Sequence, residues 1–238
     1  MVQAIKKVLR AGCLPALFSI LLTGCFERGG DGCTDTYVLV PFSEEYKAWF
    51  KQAGQNNTTM SVPVQTASGL KETIALSKLD HHEGVLQPTK DCIHISGQTV
   101  GLGYNSSLYG LGLSLSLLQQ TEGEKPVLRL NNYYQEGDDY LFSQMLVSLG
   151  GSTTYPLTLT RTRQGQPSEN IQTNAFPELS VVDSVVVGSK IYRQVYKISN
   201  PYLKREGRDF FVTDFFIHKD YGLVQYAQQD GTVWQLQF

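Results

Sequence analysis

The sequence predicts an all-β fold, mainly antiparallel, with one short N-terminal helix. Short segments rich in Val, Leu, Tyr, Phe and Thr are separated by Gly, Asn, Asp and Pro, which is typical of strands joined by turns. Apolar and polar residues alternate within many of these segments, as expected for half-buried strands. No segment after residue 54 keeps a helical period. A curved sheet, a half-barrel and a sandwich all fit this pattern.

The helix is predicted from Ser43 onward. Ser43 is a favourable N-cap, and the acidic pair at 44–45 follows it in the first turn. Tyr46, Trp49 and Phe50 recur at i, i+3 and i+4, which places three aromatic side chains on one side of the helix. Gly54 ends the predicted helix.

Two groups of strands have the clearest signals. Residues 210–217 are apolar at both odd and even positions, which predicts a central strand covered on both sides. Residues 222–228 and 232–238 flank the turn signal Asp230-Gly231 and form a predicted hairpin. The other predicted strands are 37–40, 59–66, 73–79, 92–96, 108–118, 127–134, 140–149, 155–161, 179–187 and 190–198.

The N-terminal segment has the pattern of a secretory signal. Lys6, Lys7 and Arg10 precede the apolar segment 11–22, which is too short to span a bilayer. It ends at Leu22-Thr23-Gly24-Cys25. This arrangement resembles the signal peptide and lipobox of bacterial lipoprotein precursors. The resemblance implies that residues 1–24 are removed and that lipid on Cys25 anchors the protein to a membrane.

The residues after Cys25 refine this expectation. In such lipoproteins, an aspartate directly after the cysteine commonly causes retention in the inner membrane. This position is Phe26 here, so we expect the protein to lie in the bacterial cell envelope, anchored to the outer membrane. Residues 25–32 are Gly-rich and predict a lipid-anchored tether. Residues 33–238 show no repeat and no break in composition, which favours a single β-rich domain.

Charge argues against a nucleic-acid partner. Loss of residues 1–24 takes the formal net charge from −2 to −5, because that segment holds three positive charges and no negative ones. A mildly acidic domain lacks the basic surface that phosphate backbones or anionic lipids require.

The leading candidate for a ligand face comes from residues 100–104 and 111–117, where large apolar residues alternate with Gly or Ser. If the two segments pair as a hairpin, one face carries large side chains and the other carries almost none. That open face suits a ligand or packing by the aromatic helix, and the third alternative is a bare exposed face. Its small residues are Gly101, Gly103, Gly110, Gly112, Ser114 and Ser116.

Two weaker candidate sites involve metal binding and glycan contact. His81, His82 and Glu83, on a predicted loop after Asp80, have atom types that zinc accepts, but Leu86 breaks the H-E-x-x-H pattern. The segment 131–135, Asn-Asn-Tyr-Tyr-Gln, combines aromatic rings with amides and indicates glycan contact, although tyrosine is also a routine strand residue.

These patterns favour a non-enzymatic binding or structural accessory domain, anchored in the cell envelope through the lipid on Cys25. A protein, a small molecule or a glycan is the expected partner. No cofactor is expected, and the phosphate-loop, dinucleotide-binding and nucleophile-elbow motifs that would indicate an enzyme are absent from the sequence. The alternative is an envelope hydrolase or metal-dependent enzyme whose residues meet only in the fold. A third hypothesis, an integral outer-membrane β-barrel, rests on the alternation of Trp234, Leu236 and Phe238.

Cys33 and Cys92 are predicted to form a disulfide, because Cys13 leaves with the signal and Cys25 carries lipid. Two free thiols or a redox pair are the alternatives. The bridge would close a loop of about 60 residues and contribute about 4 kcal/mol in the chain-entropy model. We therefore expect Cys33→Ser and Cys92→Ser each to lower the melting temperature, with little added in the double variant. Two reactive thiols in the unreduced, unfolded domain of residues 33–238 would contradict the pairing.

Overall fold

The computed structural model describes residues 36–40, 42–82, 87–88, 93–106, 112–119, 125–150, 155–206 and 209–238. These residues belong to two compact units. The smaller unit holds residues 36–38, 87–88 and 93–94, all of which lie in strands. The larger unit holds the other described residues, including both helices described here.

The described residues are mostly in antiparallel strands, which confirms the predicted all-β class. The two helices are α1 (Glu44–Lys47) and α2 (Pro201–Glu206). The strands as far as residue 171 are β1 (Thr36–Val40), β2 (Thr59–Thr66), β3 (Lys71–His82), β4 (Gln87–Pro88), β5 (Ile93–Ser106), β6 (Gly112–Leu118), β7 (Val127–Glu136), β8 (Asp139–Ser148), β9 (Thr158–Arg163) and β10 (Glu169–Ile171). The remaining strands are β11 (Glu178–Val187), β12 (Lys190–Ser199), β13 (Val212–His218), β14 (Gly222–Gln228) and β15 (Val233–Leu236).

Thirteen strands follow one another in a single sheet, in the order β10-β9-β8-β7-β6-β5-β3-β2-β15-β14-β13-β12-β11. The sheet joins two meanders, because β15 pairs with β2 through the register Trp234↔Thr66 and Leu236↔Val64. In the described part of the chain, β10 and β11 at the two ends do not pair with each other, so the sheet is open. Of the expected arrangements, a curved open sheet fits these pairings.

The main core lies on one face of the strands, as the alternating pattern predicts. Along β8, residues 141, 143, 145 and 147 are buried, whereas residues 142, 144, 146 and 148 are half-buried and Tyr140 is exposed. In β15, Trp234 and Leu236 are buried while Val233 and Gln235 stay partly exposed, as expected from the sequence. β13 lies between β12 and β14: Phe215 and Ile217 join the main core, whereas Phe216 packs against a second cluster of buried residues.

Two buried tyrosines link the two meanders across the core. The backbone N–H of Leu223 donates to the Tyr104 hydroxyl at 2.8 Å, and the Tyr134 hydroxyl donates to the Val212 carbonyl at 2.7 Å. Burial raises the pKa of both tyrosines, so both hydroxyls stay protonated and available for these bonds. The bonds satisfy buried polar groups and fix β5 against β14 and β7 against β13.

Several element boundaries differ from the prediction. α1 is only four residues long, and its N-cap Ser43 makes no side-chain cap hydrogen bond. Phe50 has a φ of 59°, so the backbone leaves the helical conformation before the predicted end. Asp80, His81 and His82 lie in β3 and not in a loop, because β3 pairs with β5 as far as His82↔Gln98. The strand predicted from residue 210 begins at Val212.

α2 and β10 were not predicted. The Asn200 side chain accepts a hydrogen bond from the Leu203 backbone N–H at 3.1 Å, and Pro201 occupies the first helical position. Asn followed by Pro is a helix-start signal that was present in the sequence. β10 is only three residues long and pairs with β9 alone, so local periodicity carries little signal for it.

The close contact between β5 and β14 gives a stability prediction. Gly222 has a φ of 75°, and an added Cβ would overlap the Tyr104 hydroxyl and Leu102 Cδ1. Gly231 has a similar φ of 87°, but an added Cβ would meet nothing within 4 Å. We expect Gly222→Ala to lower the free energy of unfolding by about 2 kcal/mol more than Gly231→Ala, because both variants strain the backbone and only one overpacks the core. Equal losses in chemical denaturation would contradict this packing.

Candidate functional site

The predicted β5–β6 hairpin forms, and its small residues share one face. Gly101 lies opposite Ser116, Gly103 opposite Ser114, and Asn105 opposite Gly112. The large residues of the two strands point to the other face and are buried in the main core, namely Val100, Leu102, Tyr104, Leu113, Leu115 and Leu117. Gly110 lies outside the described residues.

This small-residue face continues across the neighbouring strands. Because directly paired residues lie on the same side of a sheet, the register defines two rows of side chains on the face opposite the core. The first row runs Thr59, Ser77, Gly103, Ser114, Asn131, Gln144 and Thr158. The second row runs Ser61, Ala75, Asn105, Gly112, Tyr133, Phe142 and Thr160. We call these two rows the polar face.

A depression of about 400 Å³ lies in the middle of the polar face. It forms because Gly103 and Gly112 present no side chain there. A Cβ at Gly103 would come within 2.8 Å of Ser77 Oγ, so the close approach of β3 and β5 favours glycine at this position. None of the described residues that line the depression is charged; they are Thr59, Ala75, Ser77, Gly103, Tyr104, Asn105, Gly112, Leu113, Ser114 and Tyr133.

Hydrogen bonds order the polar side chains beside the depression. Asn131 Nδ2 donates to Ser114 Oγ at 3.1 Å, and Gln144 Nε2 donates to Asn131 Oδ1 at 3.0 Å. Ser114 accepts in this series, so its own hydroxyl proton is directed elsewhere. The three side chains therefore form a pre-oriented row of neutral donors and acceptors.

Aromatic rings border the depression on the β7 side. Tyr133 is 53% exposed, and its ring centroid lies 4.8 Å from that of Phe142, which holds the tyrosine ring in place. Tyr140 is also exposed, and its hydroxyl accepts a hydrogen bond from Gln135 Nε2 at 3.1 Å. Such a tyrosine offers an apolar ring surface together with a polar hydroxyl.

The structure brings together part of the predicted ligand face. Gly103, Gly112 and Ser114 line the depression, whereas Gly101 is buried. Ser116 is also buried, and its Oγ accepts a hydrogen bond from Arg129 Nε at 3.2 Å.

Within the predicted glycan-contact segment the strand alternation divides the residues. Asn131 and Tyr133 belong to the polar face. Asn132 and Tyr134 are buried, and Asn132 Nδ2 donates to the Tyr134 hydroxyl. The side-by-side pairs in the sequence therefore contribute one residue each to the polar face.

The aromatic helix does not cover this face. Tyr46, Trp49 and Phe50 lie in the main core, on the side of the large residues of β5 and β6. The Trp49 ring centroid lies 5.6 Å from that of Tyr196, and the Phe50 N–H donates to the Lys219 carbonyl at 2.6 Å. Packing of this helix on the Gly and Ser residues, one of the three alternatives for the face, is therefore wrong.

The predicted metal ligands and cysteines lie partly or wholly outside the residues that the structure describes. His81 and His82 occupy β3 opposite Thr99 and Gln98, and Glu83 lies outside the described residues. In the described ranges, no group of three or more His, Cys, Asp or Glu residues is placed to hold a metal ion. Cys25, Cys33 and Cys92 lie outside the described residues, so their lipidation and pairing stay predictions.

Thr59, Ala75, Ser77 and Asn105 line the depression and were not predicted. Asn105 belongs to β5 itself, whereas Thr59, Ala75 and Ser77 reach the depression because β2 pairs with β3 and β3 pairs with β5. The pairing of β3 with β5 spans a long stretch of intervening chain, and local patterns do not specify it. The available signal was the small or polar character of alternate residues in 73–77, the same alternation that identified the hairpin.

Comparisons with protein-family models, with curated proteins and with solved structures each found no match to this chain. Within the described residues, neither helix has the length and apolar character needed to cross a membrane.

Proposed function

We propose that this chain is a lipid-anchored binding protein of the bacterial cell envelope that holds a neutral, hydroxyl-rich ligand, a carbohydrate, on its polar face. The observation that carries the proposal is the uncharged depression of about 400 Å³, lined by hydroxyl and amide groups and bordered by an exposed tyrosine. The proposal involves binding alone and assigns no chemical reaction to the face.

The chemistry of the lining supports the ligand class. A sugar ring presents C–H groups on its face and hydroxyls at its edge. The exposed Tyr133 ring suits the former, and the hydroxyl of Ser114 and the amides of Asn105 and Asn131 suit the latter. A charged ligand would find no opposite charge among the described lining residues, so its desolvation would be poorly compensated there.

The dimensions of the polar face favour an extended ligand. The first row crosses seven neighbouring strands, and at about 4.8 Å between strands this spans about 29 Å. The row holds hydroxyl, amide or no side chain at every position, so successive units of an oligosaccharide would meet similar chemistry along it.

The lipobox supports the location. In this proposal, lipid on Cys25 holds the protein at the outer membrane, and residues 26–32 separate the folded part from the lipid headgroups. A module that only has to retain a ligand near a membrane needs a fixed anchor and an accessible face. In this proposal, the lipid on Cys25 is the anchor and the polar face is the accessible face.

The test measures binding of chitohexaose, cellohexaose and maltohexaose to the full-length chain by isothermal titration calorimetry. We expect at least one of these neutral oligosaccharides to bind, and Tyr133→Ala to weaken that binding about tenfold through loss of the stacking surface. Phe176→Ala is the matched control, because Phe176 is an exposed aromatic residue, 45% accessible, outside the polar face.

Both variants are expected to keep a melting temperature close to that of the wild type, since about half of each residue is exposed. The absence of binding for all three oligosaccharides would contradict the carbohydrate proposal. Equal weakening by Tyr133→Ala and Phe176→Ala would remove the polar face as the binding site.

A further inference from the structure

A second cavity, of about 290 Å³, lies between the β11–β12 turn and the last residues of the chain. The turn contributes Val187, Ser189 and Lys190, followed by Tyr192 in β12. β15 and the residues after it contribute Leu236, Gln237 and Phe238. A hydrogen bond connects β15 to β11, since Gln235 Nε2 donates to the Val186 carbonyl at 2.9 Å.

Two of the side chains that line this cavity contain a buried polar atom without a hydrogen-bond partner in the described structure. These atoms are Gln237 Nε2 and the Tyr192 hydroxyl, which interacts with the Lys190 ammonium but makes no hydrogen bond of ordinary geometry. Tyr192 is only 2% exposed, so water does not solvate its hydroxyl freely. A buried polar group without a partner is costly, which makes both atoms available to a bound ligand.

Lys190 brings a positive charge to the same cavity. Its Nζ lies 3.8 Å from the centroid of the Tyr221 ring and 5.2 Å from that of Tyr192. Burial alone would lower the pKa of Lys190, but Tyr221 and Tyr192 raise it above its ordinary value, so the ammonium stays charged. His218, whose ring contacts both tyrosines, is neutral at pH 7, because burial lowers its pKa below the ordinary value.

We propose that this second cavity binds a small organic monocarboxylate with an apolar body. The Lys190 ammonium, the Tyr192 hydroxyl and Gln237 Nε2 are donors suited to carboxylate oxygens. A single cation matches a single negative charge better than it matches the double charge of a phosphate monoester. Val187, Leu236 and the Phe238 ring provide an apolar surface for the remainder of the ligand.

The test titrates benzoate into the full-length chain and compares it with benzamide, which has nearly the same shape and no charge. We expect benzoate to bind at least tenfold more tightly than benzamide. Lys190→Met and Tyr192→Phe should each weaken benzoate binding about tenfold, through loss of the charge and of one donor. Lys125→Met is the control, because Lys125 is an exposed lysine that does not line the cavity.

Thermal unfolding separates a binding role from a structural one. Tyr192→Phe removes a buried hydroxyl that makes no hydrogen bond of ordinary geometry in the described structure, which offsets the loss of its interaction with Lys190, so the melting temperature of the unliganded protein should change little. A lower melting temperature with unchanged benzoate affinity would overturn the proposal. Equal affinities for benzoate and benzamide, no benzoate binding, or tighter binding of inorganic phosphate than of benzoate would overturn it as well.

This site is independent of the polar face. Tyr133→Ala should leave benzoate affinity unchanged, because Tyr133 does not line the second cavity. A loss of benzoate binding in Tyr133→Ala would place the benzoate site elsewhere and overturn the assignment to Lys190 and Tyr192.

Discussion

The alternation of large and small side chains over residues 100–104 of β5 and 112–117 of β6 is the constraint on which the rest of the structure depends. A strand directs successive side chains to opposite faces, so this alternation determines at once what fills the core and what the outer surface lacks. Leu102, Leu115 and Leu117 are buried on one side, and Gly103 and Ser114 lie opposite each other on the other side. The same hairpin therefore contributes both to the free energy of folding and to the candidate site.

The core side of this hairpin is fixed by specific polar contacts as well as by apolar packing. Tyr104 belongs to β5, yet its hydroxyl accepts a hydrogen bond from Leu223 in the other meander. Gly222 next to it leaves room for the tyrosine, since a side chain at Gly222 would overlap that hydroxyl. Polar atoms buried in a core require partners of defined geometry, so such contacts define how the two meanders pack. The position of the polar face follows from this packing.

The class of fold and the central hairpin could be predicted from local patterns, because both depend on alternation within one or two neighbouring segments. The predicted limits of β2 and β14 agree with the structure, since turn residues flank both strands. Pairings between distant segments could not be predicted in this way. The contact of β3 with β5, which brings Ser77 beside Gly103, and that of β15 with β2 depend on packing of the whole sheet.

Prediction of the candidate sites from the sequence is limited in the same way. The Gly and Ser residues of the hairpin and Tyr133 carried a local signal, whereas Thr59 and Ala75 reach the depression only through long-range pairing. The second cavity had no sequence signal at all. Lys190, Tyr192 and Gln237 are unremarkable residues in the sequence, and they come together only because the β11–β12 turn lies against the C-terminal residues. Sequence patterns identify faces of elements, and the fold decides which faces meet.

A pair of neighbouring substitutions in β6 tests the central claim most directly. The measurement is the free energy of unfolding of Ser114→Leu and Leu115→Ser by chemical denaturation. Leu115→Ser should lose about 4 kcal/mol, because it opens a cavity and buries a hydroxyl in the core. Ser114→Leu should change the free energy by less than about 1 kcal/mol, because Ser114 lies on the polar face, where water can replace it as a partner of Asn131. Comparable losses in the two variants would show that both sides of the hairpin are packed, and would contradict the account.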